Sequence, residues 1–471
     1  MRKAAGWIGG LAMLSLAAVV PAALDRLPEA ALSAGDLTVA VFDERAFSEH
    51  PSWLDRKQRQ SFAVGRNIFH RQWAAVISLN GDWGLGPTFI ADRCSACHVN
   101  TGRGAPPASG DAQPQSLLVR ISLPGSSAHG GPNPHPHYGA QLQNRSLDGT
   151  HIDLAYSGEP VPAEAELYLD WEERTVAFAD GETVSLRKPR LRIENANFGP
   201  LGPEAMFSLR NAQPIFGLGL LEAVSEADVL AIAARQKASG FDGRPNYVWD
   251  MLNRRVTLGR FGWKANEPNL RQQVAVAAIE DMGLSSRLFP DQNCPPAQEV
   301  CVRQLPGNVP ELLMHEIEML EFWLRTLGVP ARRNIDEPQF RRGERLFAEA
   351  QCAVCHVPEL RTAAQFPALP QLANQTIRAY TDLLLHDMGE ELADGRPDYR
   401  AGPRDWRTPP LWGIGLTQTV SGSVALLHDG RARSITEAIL WHGGEAEASR
   451  EAFGNMPKAD REALLFFLGS I

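Results

Sequence analysis

The chain has 471 residues, with 46 lysine and arginine side chains against 55 aspartate and glutamate side chains, and a formal net charge of −9 at pH 7. This length is enough for two or three domains, each with its own core. The excess of negative charge argues against a nucleic-acid partner and suits a basic protein partner.

The N-terminus has the three parts of a secretory signal. Arg2 and Lys3 precede an apolar stretch over 4–20 that is rich in alanine, leucine and glycine, and small residues for cleavage follow at Pro21-Ala22-Ala23. We therefore expect a signal peptide over 1–23 and a periplasmic mature protein. The apolar run is short and ends at a helix breaker, so a retained membrane span is not expected.

Two pentapeptides of the form C-x-x-C-H lie far apart in the chain, at 94–98 and 352–356. This spacing is typical of the attachment site of a c-type haem. The two thiols form thioethers with the haem vinyl groups, and the adjacent histidine binds the iron on its proximal side. A structural zinc site would need further cysteine or histidine ligands at knuckle spacing, which the sequence lacks. The sequence thus predicts two covalently bound haem c groups, held by Cys94, Cys97, His98, Cys352, Cys355 and His356.

The other two cysteines, Cys294 and Cys301, are separated by six residues in a polar, proline-bearing segment. They are expected to close a small loop as a disulfide. Such a bond persists outside the reducing cytosol, in agreement with the predicted signal peptide.

A short repeat precedes each pentapeptide. The pattern G-x-x-x-F occurs at Gly65 to Phe69 and again at Gly343 to Phe347. On a helix it places the glycine and the aromatic ring one turn apart on the same face. The glycine then permits a close crossing by another helix, and for the second copy the segment 460–468 is the expected partner.

Between the two pentapeptides the chain is longer than one small haem domain requires. Residues 115–200 read as strands and turns, including a hairpin that turns at Asp180-Gly181. This stretch is interpreted as an insertion in the first domain. Helical segments are expected at 224–238, 244–256 and 310–327, and a linker follows at 330–338.

Seven short segments follow one another along the chain: Gly86–Phe89, Gly217–Glu222, Gly259–Lys264, Asp281–Gly283, Leu385–Gly389, Trp406–Trp412 and His428–Ala432. Together they resemble the di-haem oxidoreductase family, and the resemblance runs in the same order from about residue 60 to the C-terminus. That family is similar to the bacterial dihaem cytochrome c peroxidases and to the methylamine dehydrogenase maturation enzyme. The resemblance implies a mainly α fold of two cytochrome c-like haem domains, over 24–330 and 331–471, with the β-rich insertion in the first.

The resemblance also suggests the second axial ligand of the C-terminal haem. In the peroxidases a methionine follows the HDG segment, and here His442 stands at that position, with Met388 as the rival ligand. A bis-histidine haem would have a lower reduction potential than one with a methionine ligand. His428 is interpreted as a hydrogen-bonding loop residue near the haem.

For the N-terminal haem the sixth position is left open by the sequence. The chain has Arg210-Asn211-Ala212-Gln213-Pro214 where the peroxidases have R-N-A-P, and no histidine stands in the segment before it. The position is therefore either vacant or filled from a distance, and the distant candidates are His129, His135, His137 and His151. The resemblance further implies a calcium ion, bound by Asn211 and by the carbonyls of Thr408 and Pro410.

Peroxide cleavage requires a group that moves a proton between the two oxygens and a polar partner that positions it. Asp281 occupies the place of the peroxidases' catalytic glutamate, with Glu280 as the rival acid. Gln273 is the expected polar partner, with Gln272 beside it. Trp263 is expected to relay electrons between the haems, as a tryptophan does in the relatives.

Two functions are compatible with these features. The first is a periplasmic peroxidase-like oxidoreductase that reduces hydrogen peroxide at the N-terminal haem with electrons received through the C-terminal haem. Its electron partner would be a small redox protein of the cytochrome c or cupredoxin type, and a homodimer is compatible with the relatives. The alternative is a non-enzymatic electron-transfer cytochrome with two six-coordinate haems.

Overall fold

Most of the helical secondary structure lies beside the two C-x-x-C-H segments. The computed structural model describes residues 27–74, 83–107, 110, 113–147, 160–303 and 310–471, so the predicted signal peptide lies outside the described residues. The α-helices are α1 (Arg56–His70), α2 (Leu218–Ala223), α3 (Glu226–Ala238), α4 (Leu270–Met282), α5 (Glu299–Arg303), α6 (Met314–Arg325), α7 (Pro338–Glu349), α8 (Thr417–Ser421), α9 (Ile435–Leu440), α10 (Glu447–Asn455) and α11 (Lys458–Ser470).

The strands are many and mostly short. They are β1 (Thr38–Val39), β2 (Thr88–Phe89), β3 (Leu117–Ser126), β4 (Pro132–Asn133), β5 (Arg145–Ser146), β6 (Glu166–Ala177), β7 (Thr183–Glu194), β8 (Met206–Asn211), β9 (Tyr247–Asp250), β10 (Arg255–Leu258), β11 (Val329–Pro330), β12 (Leu360–Arg361), β13 (Thr376–Ile377), β14 (Leu385–Asp387) and β15 (Asp405–Arg407). The described strands form one three-stranded sheet, β4-β3-β8, and several two-stranded ones.

The prediction of a mainly α fold is wrong. Of the described residues, 33% are helical and 20% are in strands that form many small sheets, and two cytochrome c-like domains are not evident among them. Several sheets join segments far apart in sequence, as when Thr38 of β1 pairs in parallel with Val329 of β11. Strands of two or three residues carry no detectable alternation of apolar and polar side chains, and so they could not be recognised from the sequence.

The helix expected over 244–256 is also absent. Its place is taken by the antiparallel strands β9 and β10. Asp250 pairs with Arg255 next to the turn, and Tyr247 pairs with Leu258 at the far end. Tyr247, Val248 and Trp249 favour a strand over a helix, and Arg254 has a positive φ of 50° in the turn between the strands. Local β propensity and the turn outweighed the weak helical pattern.

The predicted hairpin in the insertion is present. In strands β6 and β7, Glu166 pairs with Glu194 at the open end and Ala177 pairs with Thr183 next to the turn. Gly181 in the turn has a φ of +88°. The tip of the hairpin reaches the C-terminal part of the chain, where Arg461 binds Asp180 at 2.8 Å and Glu182 at 2.7 Å. The insertion therefore packs against the second C-x-x-C-H half as well as the first.

The two glycine repeats lie at close helix crossings, and the crossing predicted for Gly343 is confirmed. A Cβ atom added at Gly343 of α7 would lie 2.1 Å from the Ala463 carbonyl oxygen of α11. At Gly65 of α1 it would lie 2.3 Å from the Met319 carbonyl oxygen of α6. Each helix that precedes a C-x-x-C-H segment is thus held against a partner at a point where only glycine fits.

The disulfide between Cys294 and Cys301 is present, as predicted. In the described part of the chain, no helix is both long enough and apolar enough to span a bilayer.

Replacing Gly343 by alanine should lower the free energy of unfolding by about 1–3 kcal/mol, since the added methyl group forces α7 and α11 apart. The melting temperature from scanning calorimetry measures the change. Gly454→Ala, in α10, is the matched control, because a Cβ atom there meets nothing within 4 Å. Equal melting temperatures for the two variants would show that the crossing does not limit stability.

Candidate functional site

The first C-x-x-C-H segment lines a cavity beside α1 and α4. Cys94, Cys97 and His98 all face it. The His98 Nδ1 atom lies 2.7 Å from the Gln213 carbonyl oxygen, to which it donates a hydrogen bond in the neutral ring, and burial lowers the pKa of His98. The imidazole is therefore neutral, with Nδ1 engaged and Nε2 left to bind a metal.

The second segment repeats this arrangement in a second cavity. Cys352, Cys355 and His356 line it, and His356 Nδ1 lies 3.0 Å from the Tyr380 carbonyl oxygen. Burial is the main cause that lowers the pKa of His356 to about 4, and the nearby imidazole of His442 contributes to the shift. As in His98, the Nε2 atom of His356 is left to bind a metal.

Both rival ligands predicted for this half, His442 and Met388, lie at the second cavity. His442 Nδ1 is 2.7 Å from the Ala438 carbonyl oxygen, and burial lowers the pKa of this histidine as well. His442 thus has the same neutral, carbonyl-bound form as His356. His428 also lines the cavity, with its ring stacked on Trp406 at a centroid distance of 3.7 Å.

The first cavity differs, because His98 is the one histidine among its described lining residues. Of the distant candidates, His129 stacks on Trp249 at 4.3 Å and His135 Nε2 lies 3.0 Å from the Leu201 carbonyl oxygen. His137 lies close to His135, and His151 is outside the described residues. The structure therefore brings no second described imidazole to this cavity.

Asp281 and Gln273, both on α4, line the first cavity. The Asp281 Oδ1 atom accepts a hydrogen bond of 2.8 Å from Gln141 Nε2. Burial raises the pKa of Asp281 to about 6, and the opposing effects of Arg120 and Gln141 limit the rise. A carboxyl group with this pKa exchanges protons readily near neutral pH.

The two rival residues have other partners. Glu280 forms an ion pair of 3.1 Å with Arg120 and is not among the described lining residues. Gln272 donates to Glu267 Oε2 at 3.0 Å and to the Trp249 carbonyl oxygen at 3.1 Å. The geometry thus favours Asp281 over Glu280, and Gln273 over Gln272, as groups facing the cavity.

Sequence reasoning missed three residues of this site. Arg120 and Glu267 line the cavity, and Gln141 binds Asp281. Burial raises the pKa of Glu267 to about 8. Arg120 and Gln141 belong to the insertion, whose residues carry no motif, so only their three-dimensional placement reveals them.

Trp263 lines both cavities. Its Nε1 atom donates to the Asn211 carbonyl oxygen at 2.8 Å, and its carbonyl oxygen accepts from the Arg407 backbone N–H at 2.9 Å. The indole is therefore held at a position that borders both cavities, and its role as an electron relay stays a prediction.

Of the residues expected to bind calcium, Thr408 has protein partners at its carbonyl oxygen, whereas the Asn211 Oδ1 atom is buried without a hydrogen-bond partner. Asn211 Nδ2 donates to the Gly104 carbonyl oxygen at 2.7 Å. The Thr408 carbonyl oxygen accepts from Thr381 Oγ1 at 2.6 Å and from Arg407 at 3.3 Å, and Pro410 is half-buried beyond it. Calcium binding by Asn211, Thr408 and Pro410 stays a prediction.

The residues of both cavities fit a haem of c type. Cys94, Cys97, Cys352 and Cys355 are free thiols, whereas Cys294 and Cys301 form a disulfide. Burial raises the pKa of both Cys94 and Cys352 to about 12, so both are protonated thiols near neutral pH. Each cavity therefore offers two thiols for thioether bonds and one neutral imidazole.

Comparison with protein families agrees with this geometry. Residues 31–471 match the family described as "Di-haem oxidoreductase, putative peroxidase". The chain belongs to this family. Comparisons with curated proteins and with solved structures gave no significant match. Membership of a di-haem family implies two haems, and redox chemistry as the general activity.

Replacing His442 by alanine should convert one of the two haems to the high-spin form in the oxidised protein, because its second axial ligand is lost. Optical and electron paramagnetic resonance spectra of the holoprotein measure this. Met388→Leu is the matched control at the same cavity and should leave the spectra unchanged. If Met388→Leu alone produced the high-spin signal, Met388 and not His442 would be the ligand.

Proposed function

We propose that this protein is a periplasmic di-haem peroxidase, in which hydrogen peroxide is reduced at the first cavity and electrons enter through the second. The observation that carries the proposal is the asymmetry of the cavities. The second is lined by four described histidines, of which His356 and His442 have neutral, carbonyl-bound rings. The first has His98 alone among its described histidines, together with a buried acid, Asp281. Electron entry suits a site with two axial ligands, and substrate binding suits a site with an open position.

When bound, the haem of the first cavity supplies the iron and the electrons of the reaction. Asp281, as the carboxylate, would accept a proton from one oxygen of the peroxide and return it to the other, which would leave as water. Two electrons and two further protons would convert the remaining oxygen to a second water. Gln141 holds the Oδ1 atom of Asp281 in place, and Gln273 on the same helix provides a polar group at the cavity. Arg120 lines the cavity as a fixed positive charge.

Trp263 supports electron transfer between the sites. The ring lies at both cavities and is anchored at its Nε1 atom and at its carbonyl oxygen. The electrons would come from a small redox protein of the cytochrome c or cupredoxin type. The disulfide between Cys294 and Cys301, together with the apolar segment over 4–20, supports export to the periplasm.

The proposal is tested by mixing the half-reduced holoprotein with stoichiometric hydrogen peroxide and following the optical spectrum. The expected result is a rapid spectral change at one haem, that of the first cavity. His442→Ala, at the second cavity, should leave this change in place. No change at either haem over minutes would overturn the peroxidase proposal and favour the electron-transfer alternative.

The rate of this reaction should depend on the ionisation of Asp281. Because the carboxylate is the required base and its pKa is about 6, the rate should fall to half its maximum near pH 6 and decline further at lower pH. Asp281→Asn should slow the reaction roughly 100-fold or more and remove this inflection. Stopped-flow spectroscopy across the pH range provides the measurement.

Glu267→Gln is the control for a second buried acid at the same cavity, and it should keep the inflection near pH 6. If Glu267→Gln removed the inflection and Asp281→Asn kept it, the assignment of the base to Asp281 would be wrong.

A further inference from the structure

Two arginine side chains lie buried where the two cavities meet. Arg103 is 7% exposed and lines the second cavity, and Arg407 is 4% exposed and lines both. Burial lowers the pKa of each to about 10, and for Arg103 the nearby charge of Arg407 adds to the effect. Both groups are nevertheless cations at neutral pH, so two like charges are buried close together.

Arg407 is oriented by uncharged oxygens. Its Nε atom donates to the Gly262 carbonyl oxygen at 2.9 Å, one terminal nitrogen donates to Gln213 Oε1 at 2.9 Å, and the other donates to the Thr408 carbonyl oxygen at 3.3 Å. The carboxylate of Asp382 raises its pKa from beyond ion-pair distance. These contacts fix the guanidinium without neutralising it.

Arg103 is less satisfied still. Its guanidinium carbon lies 5.6 Å from the centroid of the Trp263 ring, and its Nη1 atom is buried without a hydrogen-bond partner. No carboxylate of the described residues forms an ion pair with it. A buried cation with an unused donor is costly unless an anion accompanies it.

Other buried arginines of the described chain are paired. Arg210 lies 2.9 Å from Asp398, and Arg431 lies 2.7 Å from Asp429. Arg103 and Arg407 therefore differ from these arginines, because no described carboxylate forms an ion pair with either of them. This difference points to a ligand that brings the negative charge itself.

We propose that Arg103 and Arg407 form an anion-binding site that takes a haem carboxylate, with Arg103 binding a propionate of the haem in the second cavity. Haem carries two propionates, and guanidinium groups bind carboxylates through paired N–H donors. Arg407, at both cavities, adds a second positive charge beside Trp263. The inference rests on the two haems of the proposed function, but not on its peroxide chemistry.

The test uses the holoprotein without peroxide and compares Arg103→Gln with the native chain. Removing a positive charge beside a haem disfavours its reduced form, so the midpoint potential of one haem should shift to a lower value. The propionate bending band in the resonance Raman spectrum should shift as well. Spectroelectrochemistry and Raman spectroscopy measure both, independently of any reaction with peroxide.

Two further variants sharpen the result. Arg190→Gln, at a side chain that is 74% exposed, should change neither potential and keep two haems. Arg103→Lys retains the charge without the paired donors, so it should restore most of the potential while the Raman band stays shifted. If Arg103→Gln keeps the haem of the first cavity but loses the haem of the second, that selective loss also supports the proposed anion-binding site. The midpoint potential is then measured on Arg103→Lys instead.

Two outcomes would overturn the inference. One is an Arg103→Gln protein with two haems, unchanged midpoint potentials and an unchanged propionate band. The other is a native midpoint potential that responds to added inorganic phosphate, with Arg103→Gln abolishing the response, because the site would then hold a free anion rather than a haem carboxylate.

Discussion

One short segment, from Asn211 to Gln213, determines the geometry on which the rest of the site depends. The Gln213 carbonyl oxygen holds the His98 imidazole, and the Gln213 side chain accepts from Arg407. The Asn211 carbonyl oxygen holds Trp263. The end of β8 therefore orients, within three residues, a candidate axial ligand, the ring between the cavities and a buried charge. A shift of this segment would disturb all three.

The second half of the site follows the same physical scheme with different residues. The Tyr380 carbonyl oxygen orients His356, and the helix before the pentapeptide is held by the close crossing at Gly343. The helix crossing positions the segment that carries the two thiols, and the backbone carbonyl orients the imidazole. In the first half the crossing at Gly65 and the Gln213 carbonyl oxygen have the same two roles. What distinguishes the halves is the rest of each cavity's lining, with His442 in one and Asp281 in the other. The proposed division of chemistry between the two sites rests on this difference.

The sequence predicted best what depends on local spacing. The pentapeptides and the disulfide join residues close in sequence. The glycine of α7 is marked by its spacing from Phe347, although the residue that it contacts, Ala463, lies far along the chain on α11. The pairing of Thr38 with Val329 has no such local signal, because such a strand has too few residues for a pattern and forms only when distant segments meet. For this reason the sequence did not predict the mixture of helices and small sheets. The charges of Arg103 and Arg407 were not predicted either, since an unpaired arginine is recognisable only when its surroundings are known.

The proposed chemistry depends on one covalently attached haem at each pentapeptide, with Trp263 between the sites. Intact-protein mass spectrometry under denaturing conditions tests the attachment, because only thioether-bound haem remains on the unfolded chain. We expect a mass equal to the processed polypeptide plus two haems, falling by one haem when Cys94 and Cys97 are both replaced by alanine. A mass equal to the polypeptide alone, or to the polypeptide plus one haem, would show that at least one pentapeptide does not hold a haem.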